Sequence, residues 1–331
     1  MGGSAWAQMP AVSASACVLM SPEGELLFER NAHARLPVAS TTKIMTAILA
    51  LEQCELTEKV RIDPACCQLE GSSMYLKAGE EYTVEELLLG LMLVSGNDAA
   101  MALALHVDGS EEAFSRRMNE KCRELGMLDS SFRNPHGLPR EGHYASAYDM
   151  ALLMHYAMEN PDFARISGTR SCRIGDSSLL NHNKLLYLCE GITGGKTGYT
   201  MAAGRCLVSA CEREGFPLVC VTLSAPNDWE DHQGLYRWAY ENYRRVDLRQ
   251  ELHADVPVIS GTSPYVPLQA EEEYLLCKKE AELRAELYLP RFVFAPVQAG
   301  EEGGSYRLWL GDELLGEGIL RYCETVDSKK D

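Results

Sequence analysis

The feature that most constrains the fold is a long helical stretch bracketed by strand patterns. Residues 14–20 and 26–29 are strand-like runs joined by Ser21-Pro22-Glu23-Gly24, a turn sequence, and read as a hairpin. Residues 205–211 and 216–223 are β-rich runs separated by Glu212-Arg213-Glu214-Gly215, a second hairpin signal. Between them the pattern is helical. The spacing of Ile44, Ile48, Leu49 and Leu51 predicts a helix over 40–54. Thr83-Val84-Glu85-Glu86 has capping-box spacing, so Thr83 can accept from a free backbone N–H while Glu86 reaches back. It opens an apolar helix to about residue 94. Ser95-Gly96-Asn97 interrupts that helix, and helical character resumes over 98–106. A further helix over 111–125 stops at Gly126, and 234–243 reads as a helix after the second hairpin. Strands at both ends with helices between fit one antiparallel sheet with an inserted helical lobe, an α+β class.

The character changes near Val246. From there short segments over 282–288, 306–310 and 315–320 are separated by Pro and Gly turns, which reads as a small all-β domain. The expected division is residues 1–245 and 246–331, the second ending in a polar tail over 327–331. The net charge of -17 argues against a nucleic-acid partner, because phosphate binding needs clustered Lys and Arg. No run of about eighteen apolar residues exists to form a transmembrane helix. Ala5-Trp6-Ala7 before Gln8 resembles a signal-peptidase cleavage site, but the charged and apolar regions that precede one are absent. The twelve cysteines are scattered without a C-x-x-C pair, which fits free thiols rather than a disulfide framework. In an exported protein, free thiols suggest an anaerobic source. With no H-E-x-x-H either, no metal site is expected.

Three short motifs carry chemistry. In Ser40-Thr41-Thr42-Lys43, i and i+3 share a helix face, so the Lys43 amine can reach the Ser40 hydroxyl. A serine hydroxyl is a weak nucleophile until a neighbouring base takes its proton. Lysine can be that base only when desolvation and nearby positive charge pull its pKa down. In Ser95-Gly96-Asn97, the hydroxyl could pass a proton, and the amide could hold a substrate carbonyl and fix the lysine. Lys196-Thr197-Gly198 follows Gly194-Gly195. On an edge strand it would offer charge, a hydroxyl and exposed backbone to a ligand carboxylate, with Gly198 permitting close approach.

Each of the three motifs occurs once, in that order and widely spaced, and the set resembles penicillin-binding proteins and serine β-lactamases. Longer segments are similar to the low-molecular-weight penicillin-binding proteins that are serine-type D-Ala-D-Ala carboxypeptidases. These are Pro37-Val38-Ala39 leading into Ser40, Ser95-Gly96-Asn97-Asp98-Ala99-Ala100, Asn134-Pro135-His136-Gly137-Leu138, the run from His143 to Met150, and Lys196-Thr197-Gly198-Tyr199-Thr200. The likeness is strong over 14–245 and looser around 294–300. It implies a β-lactamase/transpeptidase-like domain of antiparallel sheet, flanking helices and helical lobe, followed by a small all-β domain.

The resemblance further implies that Ser40 attacks the bond between the last two D-alanines of a peptidoglycan stem peptide. Lys43 would take its proton and Ser95 relay one to the departing D-alanine. Asn97 would position the acyl part, Lys196 supply positive potential and Thr197 hold the terminal carboxylate. Backbone N–H groups of Ser40 and Tyr199 would form the oxyanion hole. β-Lactams would acylate Ser40 as covalent inhibitors, with no cofactor or metal. The expected location is extracytoplasmic. Family members usually end in an amphipathic membrane-anchoring helix. This chain stops before one, which leaves peripheral membrane association open. His136 and His143 are expected to be structural. Asn183 and Lys184 are candidates to line the cleft, and Ser72 and Ser73 resemble a loop near it. Two alternatives stand beside this reading. A class A β-lactamase would need an E-x-x-L-N segment, which is missing. A non-catalytic penicillin sensor or wall-binding protein is the other.

Overall fold

Every residue of Ala16–Met20 (β1) is buried, as a strand covered on both faces must be. It is the second strand of a five-stranded antiparallel sheet. The order runs Leu26–Arg30 (β2), β1, Phe216–Leu223 (β5), Gly204–Arg213 (β4), Ile192–Thr200 (β3). The β4–β5 turn is Glu214-Gly215, both at positive φ (51° and 72°), the conformation a two-residue hairpin loop of matching twist requires. Strand alternation sorts the sheet residues onto two faces. Ala16, Val18, Met20, Val208, Ala210, Val219 and Val221 join the core shared with the helical lobe. Cys17, Leu19, Leu207 and Cys220 are buried on the other face. There, His232 and Tyr236 from the helix Asp228–Asn242 hydrogen-bond Ser209 on β4, and His232 also bonds Thr222 on β5. That helix starts six residues before the sequence expectation, with Asp228, Glu230 and Asp231 in its first turn, where carboxylates complement the exposed N–H groups.

The lobe contains Lys43–Gln53 (α1), Val84–Leu93 (α2), Asn97–Asp108 (α3), Glu111–Glu124 (α4) and Ala147–Glu159 (α5), the last packed against β1, β4 and β5. The capping box at Thr83 and Glu86 is present in both halves. The expected helix over 40–54 is divided. Ala39–Thr42 forms a 3-10 turn, and the α-helix begins only at Lys43. The lobe is also not wholly helical, because Ser171–Ile174 and Ser177–Leu180 form a small hairpin. Each of these strands buries only one residue, Ile174 and Leu179, so no alternating pattern was there to read.

The structure is a computed structural model, and the residues it describes are 9–329. The alanine pair at 5–7 and the last two residues of the polar tail lie outside them. Compact units divide between Ala239 and Tyr240, earlier than the 245/246 boundary read from composition. The reason is that Tyr243–Asp247 pairs antiparallel with Tyr274–Lys278, which draws it into the second unit. That unit is built on a six-stranded sheet in the order Leu283–Tyr288, Glu302–Leu310, Glu313–Tyr322, Tyr265–Ala270, His253–Ile259, Val293–Phe294. Val256, Val266, Leu268, Leu308 and Leu320 form its buried side. A short helix, Leu248–Glu251, interrupts the β-structure. None of the twelve cysteines is in a disulfide. Among the described residues no helix is long and apolar enough to cross a membrane.

Candidate active site

Ser40 lies within the 3-10 turn, one residue after Ala39, which holds φ at 47°. The turn is closed by Thr41, whose N–H and hydroxyl both donate to the Val38 carbonyl (3.2 and 2.7 Å). Two glycines let other elements press on it. A Cβ on Gly198 of β3 would sit 3.0 Å from the Ser40 nitrogen and 3.1 Å from both Ala39 Cβ and Thr41 N. A Cβ on Gly137 would fall 1.9 Å from the Ala39 carbonyl oxygen. The nucleophile turn is thus clamped between the edge strand and the Asn134–Leu138 segment, without room for a side chain at either point.

Lys43 is the first residue of α1 and fully buried. Its Nζ lies 2.7 Å from Asn97 Oδ1, 2.7 Å from the His136 carbonyl oxygen and 3.0 Å from Ser40 Oγ. Burial, and then the charge of Lys196, hold this amine well below the ordinary lysine value, against a smaller opposing pull from Asp98. A neutral amine has two N–H donors and one lone pair. The amide and carbonyl oxygens can only accept, so they take the two N–H groups. The lone pair is left for the Ser40 hydroxyl, which can donate. That is the arrangement a general base needs, within the hydrogen-bond reach that proton abstraction demands.

Ser95 occupies the break between α2 and α3 at φ 62°, a left-handed conformation unusual for serine and stored in a packed loop. Gly96 N donates to Gly90 O, and Asn97 N to the Ser72 carbonyl (2.8 Å). Asn97 is buried with both ends of its amide engaged, Oδ1 accepting from Lys43 and Nδ2 donating to the Glu70 carbonyl. It therefore fixes the lysine. Its neighbour Asp98 accepts from Ser73 Oγ, Met74 N and Leu76 N, which pins the 72–76 segment beside the break. Ser72 lines the cleft, and Ser73 buttresses it.

Lys196, Thr197, Gly198 and Tyr199 lie on β3, which is the sheet edge. Lys196 is buried, its Nζ donates to the Thr197 carbonyl (2.9 Å), and burial pulls its pKa down to about 7. Thr197, Gly198 and Tyr199 share with Ser40, Ser72 and Ser95 the lining of one cleft of about 760 Å3. The structure thus brings the three remote motifs together. Ser40 and Ser95 face the opening, and Lys43, Asn97 and Lys196 sit buried beneath it. Lys184 also lines the cleft, whereas Asn183 is buried and accepts from Leu185 N.

His143 accepts from Arg133 N at Nδ1, which leaves Nε2–H to donate to Thr42 Oγ1 (2.9 Å). Burial lowers its pKa to about 4. That of His136 is lowered to about 3, by burial and then by Lys43. Both rings are thus neutral and tie the 133–143 segment in place.

Sequence reasoning missed two kinds of participant. The His136 and Glu70 carbonyls are backbone acceptors, and no side-chain motif announces them. The cleft wall formed by Arg205, Asp228 and Trp229 was missed as well. Arg205 pairs with buried Asp228 through Nε and Nη2 (2.9 and 2.6 Å) and lies over the Trp229 ring. Its only sequence signal was its position nine residues after Lys196, at the start of β4.

A family model described as D-alanyl-D-alanine carboxypeptidase matches residues 4–227. The D-alanyl-D-alanine carboxypeptidase DacF of Bacillus subtilis is 33% identical over 335 residues, covering 96% of this chain and 86% of the relative. Among solved structures, the D-alanyl-D-alanine carboxypeptidase DacD from Francisella tularensis superposes with a TM-score of 0.75 at 26% identity, over 97% of this chain and 95% of that one. Penicillin binding protein 5 from Haemophilus influenzae gives 0.77 at 25% identity, over 96% and 99%.

Proposed function

This chain belongs to the D-alanyl-D-alanine carboxypeptidase family and is a serine-type carboxypeptidase that acts on peptidoglycan peptides and is bound by β-lactams; we propose that Ser40 carries its acyl-enzyme. The observation that supports this assignment is the three-way contact of Lys43 Nζ with Asn97 Oδ1, the His136 carbonyl and Ser40 Oγ. Ser40 Oγ attacks the carbonyl carbon of the penultimate D-alanine, and its proton passes to Lys43 Nζ. The oxygen that becomes negative lies between the N–H groups of Ser40 and Tyr199, the second offered by an edge strand with an unpaired side. A single donor of this kind typically contributes about 100- to 1,000-fold in rate. The C–N bond then breaks. The proton held by Lys43 reaches the departing D-alanine nitrogen through Ser95 Oγ. Water attacks the ester, gives its proton to the same relay and frees Ser40.

Lys196 and Thr197 receive the substrate's terminal carboxylate in this reading. We also infer an extracytoplasmic location, from the fact that the peptidoglycan substrate lies outside the cell membrane.

Release of D-alanine from diacetyl-Lys-D-Ala-D-Ala tests the function and separates a peptidase from a penicillin sensor. The pH profile tests the amines. Protonation of Lys43 removes the base, so kcat/KM falls as pH drops. Lys196 must be protonated to attract a carboxylate, so kcat/KM also falls as pH rises through about 7. Lys196→Arg, which keeps its charge, should move the alkaline limb upward. No D-alanine release by the folded protein would overturn the function. An alkaline limb unmoved in Lys196→Arg would remove Lys196 from carboxylate binding.

A further inference from the structure

The helix α1 begins at Lys43, and α3 begins at Asn97, the residue that holds the lysine. Their opposite ends converge elsewhere on the lobe. Cys54 closes α1, and His106 lies in the last turn of α3. Glu58 stands between them in the turn that leaves α1. The Cys54 thiol, a Glu58 carboxylate oxygen and a His106 ring nitrogen all lie within 4.8 Å of one another. Glu58 Oε2 and His106 Nε2 are 3.2 Å apart. Two ligands about 2.0–2.1 Å from a tetrahedral zinc ion stand roughly 3.3–3.4 Å from each other, so this edge already has the required length.

Three further observations support a site. Glu58 Oε1 accepts from Glu55 N (2.7 Å), which fixes the carboxylate with Oε2 turned to the histidine. Support of that kind, one shell out, is what orients metal ligands. Both helices also present their C-terminal ends here, where the backbone carbonyls carry partial negative charge and favour a cation. Finally, Glu58 and His106 are exposed and Cys54 is half-buried, so an ion can enter from solvent. The sequence expectation of no metal site rested on short ligand spacings, and His106 is 48 residues from Glu58.

We propose that Cys54, Glu58 and His106 form a binding site for a borderline-soft divalent cation, zinc foremost, that staples the far ends of the two helices carrying Lys43 and Asn97. A sulfur and an imidazole nitrogen select zinc over calcium or magnesium, which prefer all-oxygen sites. Binding exchanges the Cys54 thiol proton for the metal and releases that proton to solvent. A water molecule completes the fourth position. The site lies outside the catalytic cleft, so its role is to stabilise the lobe.

Cobalt is the spectroscopic probe and zinc the thermodynamic one, both applied to the whole protein under reducing conditions. Cobalt addition should give a thiolate charge-transfer band and tetrahedral d–d bands, both absent in Cys54→Ser. Zinc affinity by calorimetry should fall about 100-fold or more in His106→Ala, beyond the roughly 10- to 100-fold cost of losing an outer-shell partner. Zinc should raise the thermal midpoint of the wild type and of neither variant. Both metal-free variants should release D-alanine at the wild-type rate, which also shows that they are folded. A cobalt band that survives in Cys54→Ser, or zinc affinity equal in wild type and His106→Ala, would overturn the proposal, as would the lack of any band in the wild type.

Discussion

Lys43→Met is expected to cut acylation by substrate and by penicillin about 10,000-fold, the upper end of what general acid–base catalysis contributes. Methionine keeps most of the buried volume and supplies no base. It leaves Asn97 Oδ1 and the His136 carbonyl without their donor, at a cost of about 1–3 kcal/mol for each buried unsatisfied acceptor. Against that, the protein no longer buries an ionisable amine. The fold should therefore persist, as circular dichroism and a thermal scan would register. Lys43→Arg sharpens the reading. Arginine keeps a positive charge but does not lose its proton at working pH. If the amine acts as a base, Lys43→Arg is as inactive as Lys43→Met. If it acts only through charge, Lys43→Arg retains much of the rate, and the general-base assignment fails.

Gly137→Ala is the second large effect. The new Cβ would meet the Ala39 carbonyl oxygen at 1.9 Å and the Ser40 nitrogen at 3.0 Å, and both are backbone atoms that cannot rotate away. The glycine also holds φ at 87°, where a β-carbon adds strain of about 1–3 kcal/mol. Relief has to come from movement of the turn that carries Ser40. A displacement of order 1 Å at a reacting group costs about 100-fold in rate. Gly79→Ala is the control, with nearly the same φ (85°) and no atom within 4 Å of its Cβ. It should show the strain alone, as a lowered thermal midpoint with unchanged acylation. Equal acylation by Gly137→Ala and wild type would mean that the clamp on the nucleophile turn does not matter.

The legible parts of the molecule were those whose signal is local. The hairpin β4–β5 is marked by its turn, and the start of α2 by the Thr83–Glu86 pair. The three motifs were legible as residue types at fixed spacing. Other features depend on tertiary context. The 3-10 turn at Ala39–Thr42 packs against Gly198 and Gly137 with no room for a side chain at either, and neither contact has a periodicity. The carbonyl of His136 completes the lysine's environment, yet a carbonyl is common to every residue. For Asn97 the motif suggested an amide that fixes the lysine as well as one that holds a substrate carbonyl, and the structure shows the first, with Oδ1 accepting from Lys43 and Nδ2 donating to the Glu70 carbonyl. The two lysines could be named from sequence, but not the full extent of their burial, and burial is the main cause that pulls both amines below the ordinary lysine value.

One hydroxyl, that of Ser40, is expected to form the covalent bond. Benzylpenicillin is added to the wild type and to Ser40→Ala, and each is followed by intact mass and by mapping of the modified peptide. One penicilloyl group per wild-type chain is expected, on the peptide holding Ser40, and none on a folded Ser40→Ala. Equal labelling of the two proteins, or an adduct mapped to another peptide, would contradict it.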